Sequence, residues 1–394
     1  RIDPARPALV LSLPWWAGTG LVALALCIPV FALIQALPLG RVSATLAAAL
    51  AWPEAGGVDP AMPDPAHISL LPGASALAAL RVCFYIVFAF LALEIAGSRQ
   101  RATRVGWWVF WGVVAHAAWA LVALNGLGDA GLWGAKTAYE GAATGTFINR
   151  NGFATFLAMG ACLGLALILE QGGALRPRRG DPMDTINLRR VDRLPGIVGL
   201  AVILLALVAT QSRMGVLVGM TGLVICSAVM TVKRTGRRTR PLAILSAVVL
   251  AGGGGALIMA GDGVIDRLVL VERAFETRFQ GYAYALDLIR DRPLLGYGLD
   301  AFRPAFETVH RPPLPVSAIW DRGHSTYLSY WVETGLVVGS IPIVLGALVA
   351  VRLATLLHRR TADVALPAAA LAVLCLGALH SLVDFSLEMP ANVI

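Results

Sequence analysis

Apolar residues fall in blocks about 20 long, parted by short polar loops, over most of this chain. Blocks of that length can cross ~30 Å of hydrocarbon as helices, which satisfy their own backbone hydrogen bonds. The pattern predicts nine spans, at residues 15–37, 74–97, 105–124, 152–170, 195–210, 214–232, 241–261, 324–351 and 364–384. One polar stretch, residues 262–323, is too long for a turn and mixes both charge signs, so it is expected to fold as a cap outside the bilayer. Within it, Glu276 to Arg290 has a helical period with Arg278, Tyr282, Leu286 and Ile289 on one face. Pro293 and the Gly296-Tyr297-Gly298 turn should end that helix. The expected fold class is all-α: a polytopic helical membrane protein with spans over 1–261, an external cap over 262–323 and further spans over 324–394.

Composition agrees. The chain is 57% hydrophobic and 14% charged, far from the balance of a soluble domain. Its net charge of +8 does not imply nucleic acid, because no recognition motif accompanies it. The basic residues instead cluster after every second span, as in Arg99, Arg101 and Arg104, in Arg176 to Arg193, in Lys233 to Arg240 and in Arg352, Arg359 and Arg360. The positive-inside rule assigns those loops to the cytoplasm, and the cap, residues 38–73, 125–151, 211–213 and the segment after Asp384 to the opposite face. The five cysteines lie in apolar runs without metal-ligand spacing and read as small core residues. The chain starts at Arg1 without an initiator Met, so it is expected to be part of a longer protein, with its first apolar run a retained span.

Candidate chemistry gathers on the external face. Arg213, in TQSRMG, interrupts an apolar stretch, so it is expected at the membrane edge, either in an anion site or reaching for headgroup phosphates. Arg278 could turn its guanidinium toward the membrane mouth and grip phosphate oxygens in pairs, or simply face water. His324, where the cap meets the next apolar run, can titrate near neutrality and accept a proton, or can satisfy local backbone groups; Tyr327 follows one turn later. Asn149, Arg150 and Asn151 precede the fourth span, where amides and a guanidinium can bind sugar or phosphate, or cap a helix. Glu333 should need a partner at its depth, and His380 and Asp384 read chiefly as a pair holding helices together. No phosphate-binding glycine loop, metal-ligand cluster or serine nucleophile elbow appears in usable context.

Taken in order, GTFINRNGFATF, TQSRMG, RFQGYAYALDLIRDRPLLGYGLDAF, GHSTYLSYWVETG and HSLVDFSLEMPAN resemble the O-antigen ligase and polysaccharide polymerase superfamily, over most of the chain from Gly145 onward. That resemblance implies a membrane glycosyltransferase of lipopolysaccharide biosynthesis. Such an enzyme sits in the bacterial inner membrane and moves a glycan from an undecaprenyl diphosphate carrier to a hydroxyl acceptor, such as a lipid A core, at the periplasmic side. It implies no metal or other cofactor, and no partner beyond the two glycan substrates and membrane lipid. By motif, Arg213 and Arg278 would hold the diphosphate and His324 would be the general base, while Asn149, Arg150, Asn151, Tyr282 and Tyr327 are candidates for substrate contact. Tyr282 stands where many relatives have tryptophan, and the family usually has more spans than nine.

Guanidiniums placed in advance stabilise the charge that develops on a leaving diphosphate, and a base beside the acceptor hydroxyl sharpens its attack. Attack opposite the leaving group would invert the anomeric centre. Two rivals remain at this point: a polymerase joining repeat units, and a lipid-linked glycan flippase. The flippase should spread polar residues through several spans, rather than gather them at one mouth.

Overall fold

The computed structural model describes residues 15–43, 45, 49–50, 66–132, 134–136, 138–173, 193–235, 264–315, 319–360 and 362–393. The predicted span at 241–261 lies outside them, as do all the arginines of the 174–192 loop. Among the described residues the regular structure is helical, with a single isolated bridge between Gly131 and Gly134 and no strand. In chain order the helices are α1 (Trp15–Gln35), α2 (Leu39–Val42), α3 (Pro72–Ile95), α4 (Arg99–Gly126), α5 (Arg150–Gly173), α6 (Leu194–Ala209), α7 (Arg213–Thr235), α8 (Val264–Asp291), α9 (Phe302–Glu307), α10 (Thr326–Gly339), α11 (Ile341–Arg359) and α12 (Ala365–His380). A 3-10 turn at Ser386–Glu388 and a short helix α13 (Pro390–Val393) follow.

Six of these, α1, α3, α4, α5, α7 and α11, are long and apolar enough to cross a membrane. The protein is therefore an all-α, multi-pass membrane protein. α6 and α12 are apolar but only 16 residues each, about 24 Å at the helical rise. α5 is the central helix, covered along most of its length by α4, α6, α7 and α12. Small residues let the backbones close in: a Cβ on Gly164 would overlap the Phe110 ring of α4, and Gly215 of α7 meets Ala154 of α5. In contrast, α3 leaves Leu77, Leu80, Phe84, Val87 and Phe90 exposed, a surface suited to lipid tails. Cys162 and Cys226 are buried in the helix core as expected, but Cys27 is exposed on α1.

The loops sort to two ends. At one, Arg99 pairs with Asp363, Lys233 Nζ donates to the His358 carbonyl and Arg193 donates to the Gln171 carbonyl, with the exposed Trp108 close by on α4. At the other, the 66–71 segment, the 139–151 loop, the α6–α7 turn, α8 to α10 and the tail after α12 bond to one another.

The predicted eighth span, 324–351, is divided. α10 kinks at Gly335 (φ +70°) and ends at Gly339, and only α11 beyond it has the length to cross. The cause is a loop that takes over the helix's hydrogen bonds. The Val332 and Glu333 carbonyls accept the Tyr297 and Gly298 N–H groups, while the Leu336 N–H turns to the Pro293 carbonyl (2.7 Å). The Gln35 side chain completes the junction, donating to the carbonyls of Leu295 and Glu333 and accepting from the Leu299 N–H. A second difference concerns the cap helix, which begins at Val264 rather than Glu276 and ends at Asp291. Its covered face carries Gly281, Ala285, Leu288 and Ile289, while Leu286 is exposed.

Candidate functional site

The tail after α12 organises the polar end. The Ser381 carbonyl accepts the Thr326 N–H and the Ser325 hydroxyl, fixing the start of α10. The Val383 carbonyl accepts from Arg278 (3.4 Å), and the Asp384 carbonyl accepts from the Thr326 hydroxyl (3.2 Å). Tyr282 donates to the His324 carbonyl (2.9 Å) and the Leu382 carbonyl (3.5 Å). Burial raises the Tyr282 phenol above the ordinary tyrosine range, although Arg278 opposes it, so the group stays a donor.

His324 thus has α8 on one side and the tail on the other. Its backbone is left-handed (φ +48°), a conformation uncommon outside glycine and one that the flanking hydrogen bonds must hold. The ring lies edge-on to Trp320 and Phe385, at centroid distances of 5.3 and 5.5 Å. Its Nδ1 is buried with no hydrogen-bond partner among the described residues. Burial first, and then the Arg278 charge, lower the imidazole below the ordinary histidine range, with Asp384 offsetting part of the fall. The neutral form, able to accept a proton, is favoured.

Across the rim, two helix N-termini lie side by side. Asn149 Oδ1 accepts the N–H groups of Asn151 and Gly152, capping α5, and the Arg150 guanidinium stacks over Tyr139. Ser212 Oγ accepts the Gly215 N–H and so caps α7, whose first residue is the exposed Arg213. The Asn151 amide joins the two, accepting from Ser212 Oγ (2.8 Å) and donating to Asp384 Oδ2 (2.7 Å). Asn149 therefore acts as a helix cap, and the Asn151 side chain is engaged within the protein. Tyr327 donates to the Ala378 carbonyl (2.9 Å), tying α10 to α12. His380 and Asp384 do not pair through their side chains; His380 Nδ1 meets Thr155 Oγ1 (3.0 Å), so both residues tie the last helix to α5.

A second polar cluster, of which the sequence marked only Glu333, gathers around Arg322, two residues before His324. Arg322 bridges Asp300 (2.8 Å) and Glu388 (3.3 Å), and Arg81 joins Asp300 from α3 (3.3 Å). With Glu333, Ser329 and the two tyrosines Tyr85 and Tyr330 they line a cavity of about 20 Å³, room for about one water. Burial alone would raise the Asp300 carboxyl, but Arg322 and Arg81 outweigh it and hold it below the ordinary range. For Glu388, burial outweighs Arg322 and a hydrogen bond from Ser329 and pushes the carboxyl up to about 7. Asp300 and Glu388 stand inside the motifs GYGLDAF and SLEMPAN, which is the one trace they leave in the sequence.

The geometry brings Arg278, Tyr282 and His324 into direct or through-backbone association, with Asn151 and Ser212 linked to them through Asp384. The arrangement offers a proton acceptor beside the Arg278 guanidinium at the mouth of a helix bundle. In comparison with known proteins, residues 198–343 match the family described as O-antigen ligase. No curated protein matches the chain. The matched stretch contains Arg213, Arg278, Tyr282 and His324, and over it this chain is similar to the O-antigen ligase family.

Proposed function

We propose that this protein transfers a glycan from an undecaprenyl diphosphate carrier to a hydroxyl acceptor, as a ligase acting at the periplasmic side of the bacterial inner membrane. The observation that carries the reading is the meeting of Arg278 and His324 on one polar rim, inside the region that matches the ligase family. Neutral His324 takes the proton of the acceptor hydroxyl as its oxygen attacks the anomeric carbon. The bond to the diphosphate oxygen breaks at the same time, and the charge developing there is met by Arg278, by Arg213 and by the N-terminal ends of α5 and α7. Attack opposite the leaving group inverts the anomeric centre. The arginine-rich end, with Arg99, Lys233 and Arg359, supports a cytoplasmic assignment for that side, which leaves the rim on the other.

The family match covers ligases and polymerases alike, and acceptor choice separates them. Purified protein supplied with an undecaprenyl diphosphate-linked glycan and a lipid A core acceptor should form the joined product, with the anomeric configuration opposite to the donor's. Transfer only to a second lipid-linked glycan would make it a polymerase. A flippase would move the donor across liposomes, and Arg278→Ala or His324→Ala would abolish that movement while leaving any glycan transfer intact.

A further inference from the structure

We infer that Asp384 is a positioning residue of this site: through Asn151 and Ser212, its carboxylate holds the helix end bearing Arg213 in register with Arg278 and His324. The inference rests on the transferase reading above. Asp384 is 2% exposed, and a buried carboxylate needs donors to offset its lost hydration. It has three from neutral groups: Asn151 Nδ2 on Oδ2 (2.7 Å), and the Phe385 N–H (2.7 Å) and Ser386 Oγ (3.2 Å) on Oδ1.

An ionised carboxylate only accepts hydrogen bonds, so it sets the direction of everything joined to it. The Asn151 amide must turn its NH2 toward Asp384, which leaves its oxygen to Ser212. The Ser212 hydroxyl then donates to Asn151, and its lone pair is free for the Gly215 N–H that opens α7. Arg213 is the next residue. Meanwhile the same stretch of tail receives Arg278 at Val383 and the start of α10 at Ser381 and Asp384. Asp384 is thus the point at which the two halves of the rim, 233 residues apart at the Asn151 contact, are joined.

The charge has a second effect. His324 faces Arg278 and Tyr282 from α8, Asp384 and the Phe385 ring from the tail, and Trp320 from its own loop; His380, in turn, feels both Arg278 and Asp384. Asp384 is the anion among them that favours the protonated imidazole, against burial and Arg278.

Asp384→Asn keeps the shape and removes the charge. Since Oδ1 already takes two donors, the new amide would set its NH2 against the NH2 of Asn151, and the chain of hydrogen bonds must break or reverse. In full-length protein with the lipid-linked donor, this variant should lose on the order of tenfold in kcat, the scale of one hydrogen bond to a charged group. The acid limb of its kcat/KM profile should move to lower pH, which a merely structural tie would not cause. Ser212→Ala cuts the relay but leaves the charge, so it should raise the donor KM with the acid limb unmoved. Wild-type kinetics and acid limb in Asp384→Asn, or an unchanged donor KM in Ser212→Ala, while His324→Ala is inactive, would overturn the positioning role alone. Full transfer by His324→Ala would overturn the transferase reading and the inference together.

Discussion

The hydroxyl of Tyr282 bonds the backbone carbonyl of His324 rather than its ring (2.9 Å), so the cap helix grips the candidate base by its main chain. The same hydroxyl reaches the Leu382 carbonyl (3.5 Å), linking α8, the His324 turn and the tail. Tyr282→Phe keeps the ring and removes that link. It should cost about 1 kcal/mol of stability and lower kcat roughly 3- to 10-fold by loosening the left-handed turn at His324. Thermal unfolding and steady-state transfer on one preparation check both; an unchanged kcat would show that the turn holds without the tyrosine.

The pH dependence of transfer should follow His324. Burial and Arg278 lower its pKa, so the neutral base persists below the ordinary value of 6.5. Activity should therefore fall on acidification only at a pH below that value. Arg278→Gln removes one of the two lowering influences and should move this limb upward, while also weakening donor binding.

Glu388 gives the opposite sign, in stability. Its carboxyl is raised from 4.5 to about 7, so folding favours the protonated form. The stability this contributes is present below about 4.5 and is lost as pH rises through about 7. Glu388→Gln should flatten that decline, as measured by unfolding temperature across this range; a slope equal to that of the wild type would refute the assignment.

Gly335 should not tolerate a side chain. Its φ of +70° is left-handed and an added Cβ would strike the Leu294 carbonyl. Gly335→Ala should destabilise the protein by on the order of 1–3 kcal/mol. The neighbouring Val337, which is exposed, should accept alanine with little loss.

Activity should survive chelation, because the proposed stabilisation of the diphosphate comes from arginines and helix ends. Transfer measured with and without EDTA tests this directly, and loss restored by one divalent ion would reassign that task.

Much of the membrane architecture was legible because hydrophobic blocks and arginine loops are local signals. α1, α3, α4, α5 and α7 lie where the apolar runs predicted them. The break in α10 was not legible, since Gly335 to Ser340 reads as a continuation of an apolar run and the groups that capture its carbonyls come from residues 297 and 298. At the site, the motifs picked out Arg278, Tyr282 and His324, yet gave no sign that Tyr282 would bond a main-chain carbonyl. Asn149 and Asn151 fit either a ligand or a cap, and only the fold displays their partners. Apart from Glu333, the Arg322 cluster was not legible because its ion pairs join four separated segments.

The buried amide of Gln35 has a consequence for biosynthesis. Its partners, Leu295, Leu299 and Glu333, are translated some 260 to 298 residues after it, so the first helix enters the bilayer long before its end can be satisfied. The outer layer can lock only once residue 333 has been made, which sets its assembly after that of the earlier helices and leaves any nascent chain halted ahead of residue 295 without these partners for the amide.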